Sequence, residues 1–162
     1  MADDIIWAPW RAAFILSEKE KGCILCNRLR MKDSVKNLIL YRGETCAVIM
    51  NKFPYNTGHL MVIPNRHISQ LEKLNEAEAA EFFDLIRKSV VIIKKALKPQ
   101  SMNVGMNLGR GAGAGIPGHL HMHIVPRWRG DTNFMPVIGK THVVSIPLEP
   151  IYEKLRSEFD RL

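Results

Sequence analysis

The sequence has no apolar run of the about 18 residues or more that a bilayer-crossing helix needs, so no membrane partner is expected. It has no internal repeat and no Ser- or Pro-rich linker, which leaves one compact domain over 1–162 as the expected organisation. Cysteine is scarce. Its three residues are an odd number, which argues for thiols or metal ligands in a reducing compartment and against a disulfide framework. A chain of this length can bury a core without such staples. The first residues, Met1-Ala2-Asp3-Asp4, lack the basic start and long apolar stretch of a secretory signal, so a cytoplasmic location is expected. Aromatics interleaved with a basic stripe, which would support single-strand binding, are also missing, and no stable nucleic-acid partner is expected.

What is present is an ordinary globular composition, 46% hydrophobic and 24% charged, with a formal net charge of +7. That balance attracts polyanions, whether nucleic acid, a membrane surface or small phosphorylated metabolites, and by itself does not choose among them. Residues 1–16 hold Trp7, Trp10, Phe14 and Ile15, too apolar for a free tail, and are expected to pack on the domain or on a second subunit. Strands are expected at Thr45–Met50, at His59–Ile63 before Pro64, at Met102–Leu108, at Leu120–Val125 and near His142–Ile146. One long helix is expected after Asn75, with Glu78 completing a capping box and Pro99 as the stop. Its apolar positions Ala79, Phe82, Phe83, Ile86, Val90, Ile93 and Leu97 recur at spacings of three and four, as on one buried face. A short amphipathic helix is expected from about Pro150 to Phe159. Strands with few helices imply an α+β fold.

The chemistry concentrates in His119-Leu120-His121-Met122-His123. Side chains alternate faces along a strand, so three imidazoles would share one face, roughly 6–7 Å apart at the backbone, with Leu120, Met122 and Ile124 on the other. Three adjacent imidazoles are costly to bury unpaired, so that face is not ordinary core. Two functional readings fit: a metal site made by the strand, or nucleophilic catalysis. Imidazole suits phosphoryl or nucleotidyl transfer, being nucleophilic while neutral near pH 7 and able to leave phosphorus again. The preceding loop, Gly109 to Gly118, carries five of the eleven glycines, which let a backbone approach a ligand and aim N–H groups at anions. It runs into a strand, unlike a dinucleotide-fold fingerprint, and no Gly-Lys-Ser/Thr follows, unlike a Walker loop. Arg110 and Arg127 bracket the histidines as candidate partners for phosphate charge.

Cys23-Ile24-Leu25-Cys26 is a C-x-x-C pair without a second such pair, so histidines must complete a tetrahedral site. His59, His67, His119, His121, His123 and His142 are all candidates, and spacing alone does not choose. Cys46 sits in an apolar strand as a small core residue.

His119-Leu120-His121-Met122-His123-Ile124-Val125 resembles the signature of the histidine triad (HIT) superfamily. Asn107-Leu108-Gly109, Ala112-Gly113 and the stretch Asn51 to Pro64 with Gly58-His59 strengthen the resemblance, which covers nearly the whole chain. It implies a HIT fold: an antiparallel sheet of about five strands, a long helix and a C-terminal helix, with two copies joining their sheets into a homodimer. It also implies that His121 attacks an α-phosphorus to form a nucleotidyl-histidine and that His123 contacts phosphate or the leaving group. Asn51 falls at the ribose position and Asn107 near the phosphates, while His59 lies near the pocket. By the same resemblance Cys23, Cys26, His67 and His119 would hold a structural zinc ion, tying an N-terminal segment to the catalytic strand.

Trp7-Ala8-Pro9-Trp10-Arg11 and Pro126-Arg127-Trp128-Arg129-Gly130-Asp131-Thr132-Asn133-Phe134 resemble the bacterial diadenosine tetraphosphate phosphorylase branch, whose members use inorganic phosphate to form ATP and ADP. Hydrolase-like members often carry Gln where this chain has Ala114, so backbone N–H groups from Gly113 through Gly115 to Ile116, with Arg127, are the expected contacts to phosphate. A dinucleoside polyphosphate or phosphoramidate hydrolase on the same scaffold is the first alternative. A zinc-stabilised nucleotide-binding module without chemistry is the second.

Overall fold

The structure is a computed structural model that describes residues 21–131 and 146–162. Strands β1 (Ile39–Arg42), β2 (Cys46–Met50), β3 (Leu60–Pro64), β4 (Ser101–Gly105) and β5 (Met122–Arg127) form one antiparallel sheet in the order β1-β2-β3-β5-β4. Helices α1 (Ile24–Arg30), α2 (Glu76–Leu97) and α3 (Leu148–Phe159) accompany it. No helix among the described residues is long and apolar enough to cross a membrane.

The inner strands β2 and β3, Cys-Ala-Val-Ile-Met and Leu-Met-Val-Ile-Pro, are buried at every position, as a continuous apolar run on a doubly covered sheet requires. Helix α2 packs on β2, β3 and β5, and α3 packs on β1 and α2. Register separates the faces. Leu60 pairs with Ile124 and Val62 with Met122, whereas Met61 pairs with His123, so the apolar partners and His123 lie on opposite sides. The apolar side faces α2, because Cys46 on that side has its thiol 3.6 Å from the Glu78 carbonyl. The turn that feeds β3 requires glycine at 58. Its φ is +75°, and a Cβ there would collide with Leu97 at the end of α2.

The expected long helix begins at its expected cap. Asn75 Oδ1 accepts from the Glu78 N–H at 2.8 Å, and a Glu78 carboxylate oxygen accepts from the Asn75 N–H at 2.9 Å. Arg66 grips the same carboxylate with two bonds of 2.8 Å and, with the Asn75 N–H, holds it down at about 2. The buried stripe is Phe82, Leu85, Ile86, Ser89, Ile92 and Ile93. It is rotated from the expected one: Phe83 is 66% exposed, because the apolar stripe centres on 82, 86, 89 and 93 and residue 83 falls about 100° round from 82. Asn75→Ala is expected to cost about 1 kcal/mol, read as a lower denaturation midpoint with an unchanged slope.

Strand ends differ from expectation for identifiable reasons. The strand expected at Met102–Leu108 stops at Gly105, where its ladder with β5 ends opposite His123. The one expected from Leu120 starts at Met122, because the Leu120 N–H is used by the Ile68 carbonyl at 2.6 Å instead of a sheet partner. Helix α3 begins at Leu148, ahead of Pro150, which sits in the first turn where its missing N–H is not needed. The strand expected at 142–146 lies outside the described residues apart from Ile146, as do Trp7, Trp10, Phe14 and Ile15. The fifth strand that is described, β1, and the seven-residue α1 are too short to show a period in sequence.

Candidate active site and metal centre

Two strand ends and one helix start bring together four side chains that could hold a metal ion. Cys23 caps α1 and Cys26 lies in its first turn, His67 follows β3, and His119 precedes β5. Their ligand atoms all lie within 4.8 Å of one another, and this is the one such His/Cys/Asp/Glu group among the described residues. His119 Nδ1 is 3.3 Å from Cys23 Sγ and 3.5 Å from Cys26 Sγ, and His67 Nδ1 is 3.4 Å from Cys26 Sγ. Tetrahedral zinc with the usual metal–sulfur and metal–nitrogen lengths sets its sulfur and nitrogen ligands about 3.6 Å apart, close to these three spacings. The tautomer fits as well. His119 Nε2 is 2.9 Å from the Pro64 carbonyl oxygen, which can only accept, so Nε2 carries the proton and Nδ1 offers its lone pair to the cluster. Cys46 stays apart in β2, where burial pushes its thiol up to about 11.

The next histidine is fixed by the backbone of this one. His121 Nδ1 donates to the His119 carbonyl at 2.7 Å, which leaves the Nε2 lone pair free on a ring that is only 4% exposed. The His121 and His123 rings meet edge to face with centroids 4.9 Å apart. His119 turns away to the cysteines, so the three imidazoles serve two centres instead of one shared face.

A second chain of bonds sets His123. The Tyr55 N–H donates to His59 Nδ1 at 3.1 Å, so the proton of His59 sits on Nε2, which lies 2.9 Å from His123 Nδ1. His123 therefore accepts at Nδ1 and carries its own proton on Nε2, as a donor. Burial, then the neighbouring His123 and His121, lowers His59 to about 3, and burial, then His121, lowers His123 to about 4. Both are neutral near pH 7. As the folded values lie below the ordinary 6.5, the unfolded chain binds protons that the folded chain refuses between those limits. The stabilisation is complete above about pH 6.5 and is lost as pH falls through that window. For His59 alone the loss at about pH 4.5 is about 2 kcal/mol. Melting temperatures at pH 7 and about pH 4.5 are expected to differ more for the wild type than for His59→Gln, and an equal drop in both would contradict this assignment.

Asn51 Oδ1 accepts from the Phe53 N–H at 2.9 Å, and its Nδ2 lies 3.4 Å from His59 Nδ1, so this side chain braces the histidine chain from within. Asn107 lines, with His123 and Arg127, a cleft of about 470 Å³ between the 53–58 turn and the β4–β5 ribbon. Arg127 is held by Asp131 through two bonds of 2.7 and 2.8 Å. Asp131 also accepts from Asn56 at 2.7 Å and from the Trp128 N–H at 3.0 Å. In the glycine loop Gly109 and Gly113 have φ of +82° and +84°, and a Cβ at Gly113 or Gly115 would meet nothing within 4 Å. Gly113-x-Gly115-x-x-Gly118 has the dinucleotide-fingerprint spacing, but it leads through His119–His121 into β5 and not into a helix.

The sequence profile of the HIT domain family matches residues 32–130, which includes β1 through β5, the glycine loop and all three triad histidines. The chain belongs to the HIT-domain family. A Mycobacterium tuberculosis protein named AP-4-A phosphorylase is 41% identical over 126 residues, covering 78% of this HIT chain and 65% of its own length, so the chain spans slightly under two thirds of that relative. A Schizosaccharomyces pombe protein named bis(5'-nucleosyl)-tetraphosphatase [asymmetrical] is 34% identical over 100 residues, covering 62% of this chain and 54% of that one. Among solved structures, a hypothetical histidine triad nucleotide-binding protein from Sulfolobus tokodaii superposes with a TM-score of 0.69 at 29% identity, over 86% of this chain and 93% of that one. A zinc-bound histidine triad family protein from Mycobacterium smegmatis shares the fold, with a TM-score of 0.69 at 21% identity over 86% and 94% of the two chains.

Spacing in the sequence of this HIT domain does not show the bracing of His123 by His59 or the Asn56–Asp131–Arg127 clasp. His59 Nε2 and His123 Nδ1 meet across the β3–β5 pairing, 64 residues apart in sequence. Only knowledge of the strand order would have exposed that meeting.

Proposed function

We propose that the protein is a nucleotidyl transferase that cleaves diadenosine tetraphosphate with inorganic phosphate, giving ATP and ADP. The observation that carries this reading is the bond from His121 Nδ1 to the His119 carbonyl, which leaves the Nε2 lone pair as the nucleophile. His121 Nε2 bonds to the α-phosphorus as the bond from that phosphorus to the bridging oxygen breaks, and ATP departs. Phosphate oxygen then displaces Nε2, releasing ADP and restoring the imidazole. His123, a donor at Nε2, stabilises charge on the phosphate or departing oxygen, and the N–H groups of Gly113 to Ile116 face the crowded oxygens. Asn51 keeps the ribose side in order, and Asn107 and Arg127 border the path of the leaving group. The 41% identity to a protein named AP-4-A phosphorylase supports the substrate class.

Cys23, Cys26, His67 and His119 would hold zinc. The ion supplies rigidity, since all four positions are filled by protein. Edge strand β4, exposed along most of its length, would pair with its copy in a homodimer. A cytoplasmic location suits both the substrate and thiols that must stay reduced.

Product analysis tests the reading. ATP plus ADP formed only when phosphate is supplied supports it. ATP plus AMP formed in water would instead favour hydrolysis, the reaction named for the fission-yeast relative. Absence of any AMP adduct on His121 after rapid alkaline quench would favour a nucleotide-binding module without chemistry.

A further inference from the structure

The attack of His121 gives the cleft beside His123 no more than a border on the path of the leaving group, yet its walls have a definite chemistry. Its volume of about 470 Å³ is within the range of about 300–1,000 Å³ typical of small-molecule sites. Its cation, Arg127, is matched by Asp131 in a bidentate pair, so the walls carry no net charge to draw a polyphosphate. On one side stands Tyr55, 57% exposed, its ring stacked on His59 with centroids 4.9 Å apart and planes 30° apart. A ring backed on one face and open to solvent is a ready platform for a planar base. Asn103 on β4, whose Oδ1 already accepts from Arg127 Nη1 at 3.5 Å, keeps its amide N–H groups and a second oxygen lone pair, and Asn107 lies beyond it; a donor and an acceptor together are the pairing that suits an adenine edge. Between them Gly105 adds no side chain, and a Cβ there would meet nothing within 4 Å, which leaves the strand floor flat.

Position completes the argument. In an in-line displacement the leaving group departs away from the nucleophile. The cleft begins at His123, the ring next to His121 and the donor at Nε2. We propose that this cleft is the subsite for the nucleoside of the departing nucleotide, with Tyr55 as the stacking surface and Asn103 as the contact to the base edge. The inference rests on the nucleotidyl-transfer reading. It explains what would favour a dinucleotide over a mononucleotide: two nucleosides are held, one on each side of the reacting phosphorus.

The experiment compares two substrates that share the adenylyl half: diadenosine tetraphosphate, and adenosine 5'-phosphoramidate, whose leaving group is ammonia. The quantity read is the ratio of their kcat/KM values. Asn103→Ala and Tyr55→Ala are expected to lower that ratio by about 5- to 100-fold, the range set by loss of one base contact or stack, while Tyr55→Phe keeps it. A ratio within about twofold of wild type in both alanine variants would overturn the subsite, because a loss acting through His59 and His123 burdens both substrates alike. If the wild type turns over neither substrate, the His121 reading has failed, and calorimetric titration with ATP decides the cleft. Weaker ATP binding by both alanine variants than by wild type supports the subsite, and equal binding overturns it.

Discussion

His121→Asn is expected to lower turnover of diadenosine tetraphosphate by about four orders of magnitude or more, with little change in melting temperature. Asn is chosen because its amide can still donate to the His119 carbonyl, as His121 Nδ1 does at 2.7 Å, so the local backbone keeps its partner. What is lost is the Nε2 lone pair. Without it no covalent intermediate forms, and the remaining groups supply only positioning and charge stabilisation, as in other enzymes stripped of their nucleophile. The discriminating measurements are turnover, substrate affinity and adduct formation on the same preparation. Affinity within a few-fold of wild type with no adduct supports the role. Retained turnover would remove His121 from the chemistry altogether.

The second large effect is expected from the metal centre. Purified protein should contain one zinc ion per chain, and a strong chelator or Cys26→Ser should lower the melting temperature by on the order of ten degrees. Only part of the free energy of structural zinc is at stake, because most of the core lies between the sheet, α2 and α3, and only Leu25 and Leu120 of it stand next to the four side chains in sequence. The segment that would depend on the ion is α1 together with the His119 stretch ahead of β5, which Cys23, Cys26 and His67 would pin. Turnover should fall in parallel, since freeing the His119 ring loosens the carbonyl that sets the His121 tautomer. A preparation free of metal that melts and turns over normally would refute the assignment.

The elements that could be read from sequence are those whose own residues state their environment. Asn75 with Glu78 marked the start of α2, and the apolar runs in β2 and β3 marked strands, though not their place in the middle of the sheet. The ligand set Cys23, Cys26, His67 and His119 came from family resemblance, and the cluster geometry agrees with it. Spacing alone left six histidines open, because ligation depends on where three separate segments end in space. The alternating pattern over 119–123 suggested one strand with one reactive face. The strand begins only at Met122, since the Leu120 N–H pairs with Ile68 outside the sheet. Arg127 illustrates the same limit: sequence shows a cation beside the histidines, but only the fold shows Asp131 holding it.

Because the His119 side chain faces the cysteines while its own carbonyl holds His121, the two centres are spaced by a fixed interval of two residues. A single inserted or deleted residue between them would put one centre out of reach whichever way the chain resettled. Transplanting this chemistry into another scaffold would therefore require moving a whole cassette: the 119–123 segment, the Pro64 and Ile68 carbonyls it bonds to, and His67 between them. Histidines grafted at the right points without that backbone would have the right side chains and the wrong tautomers.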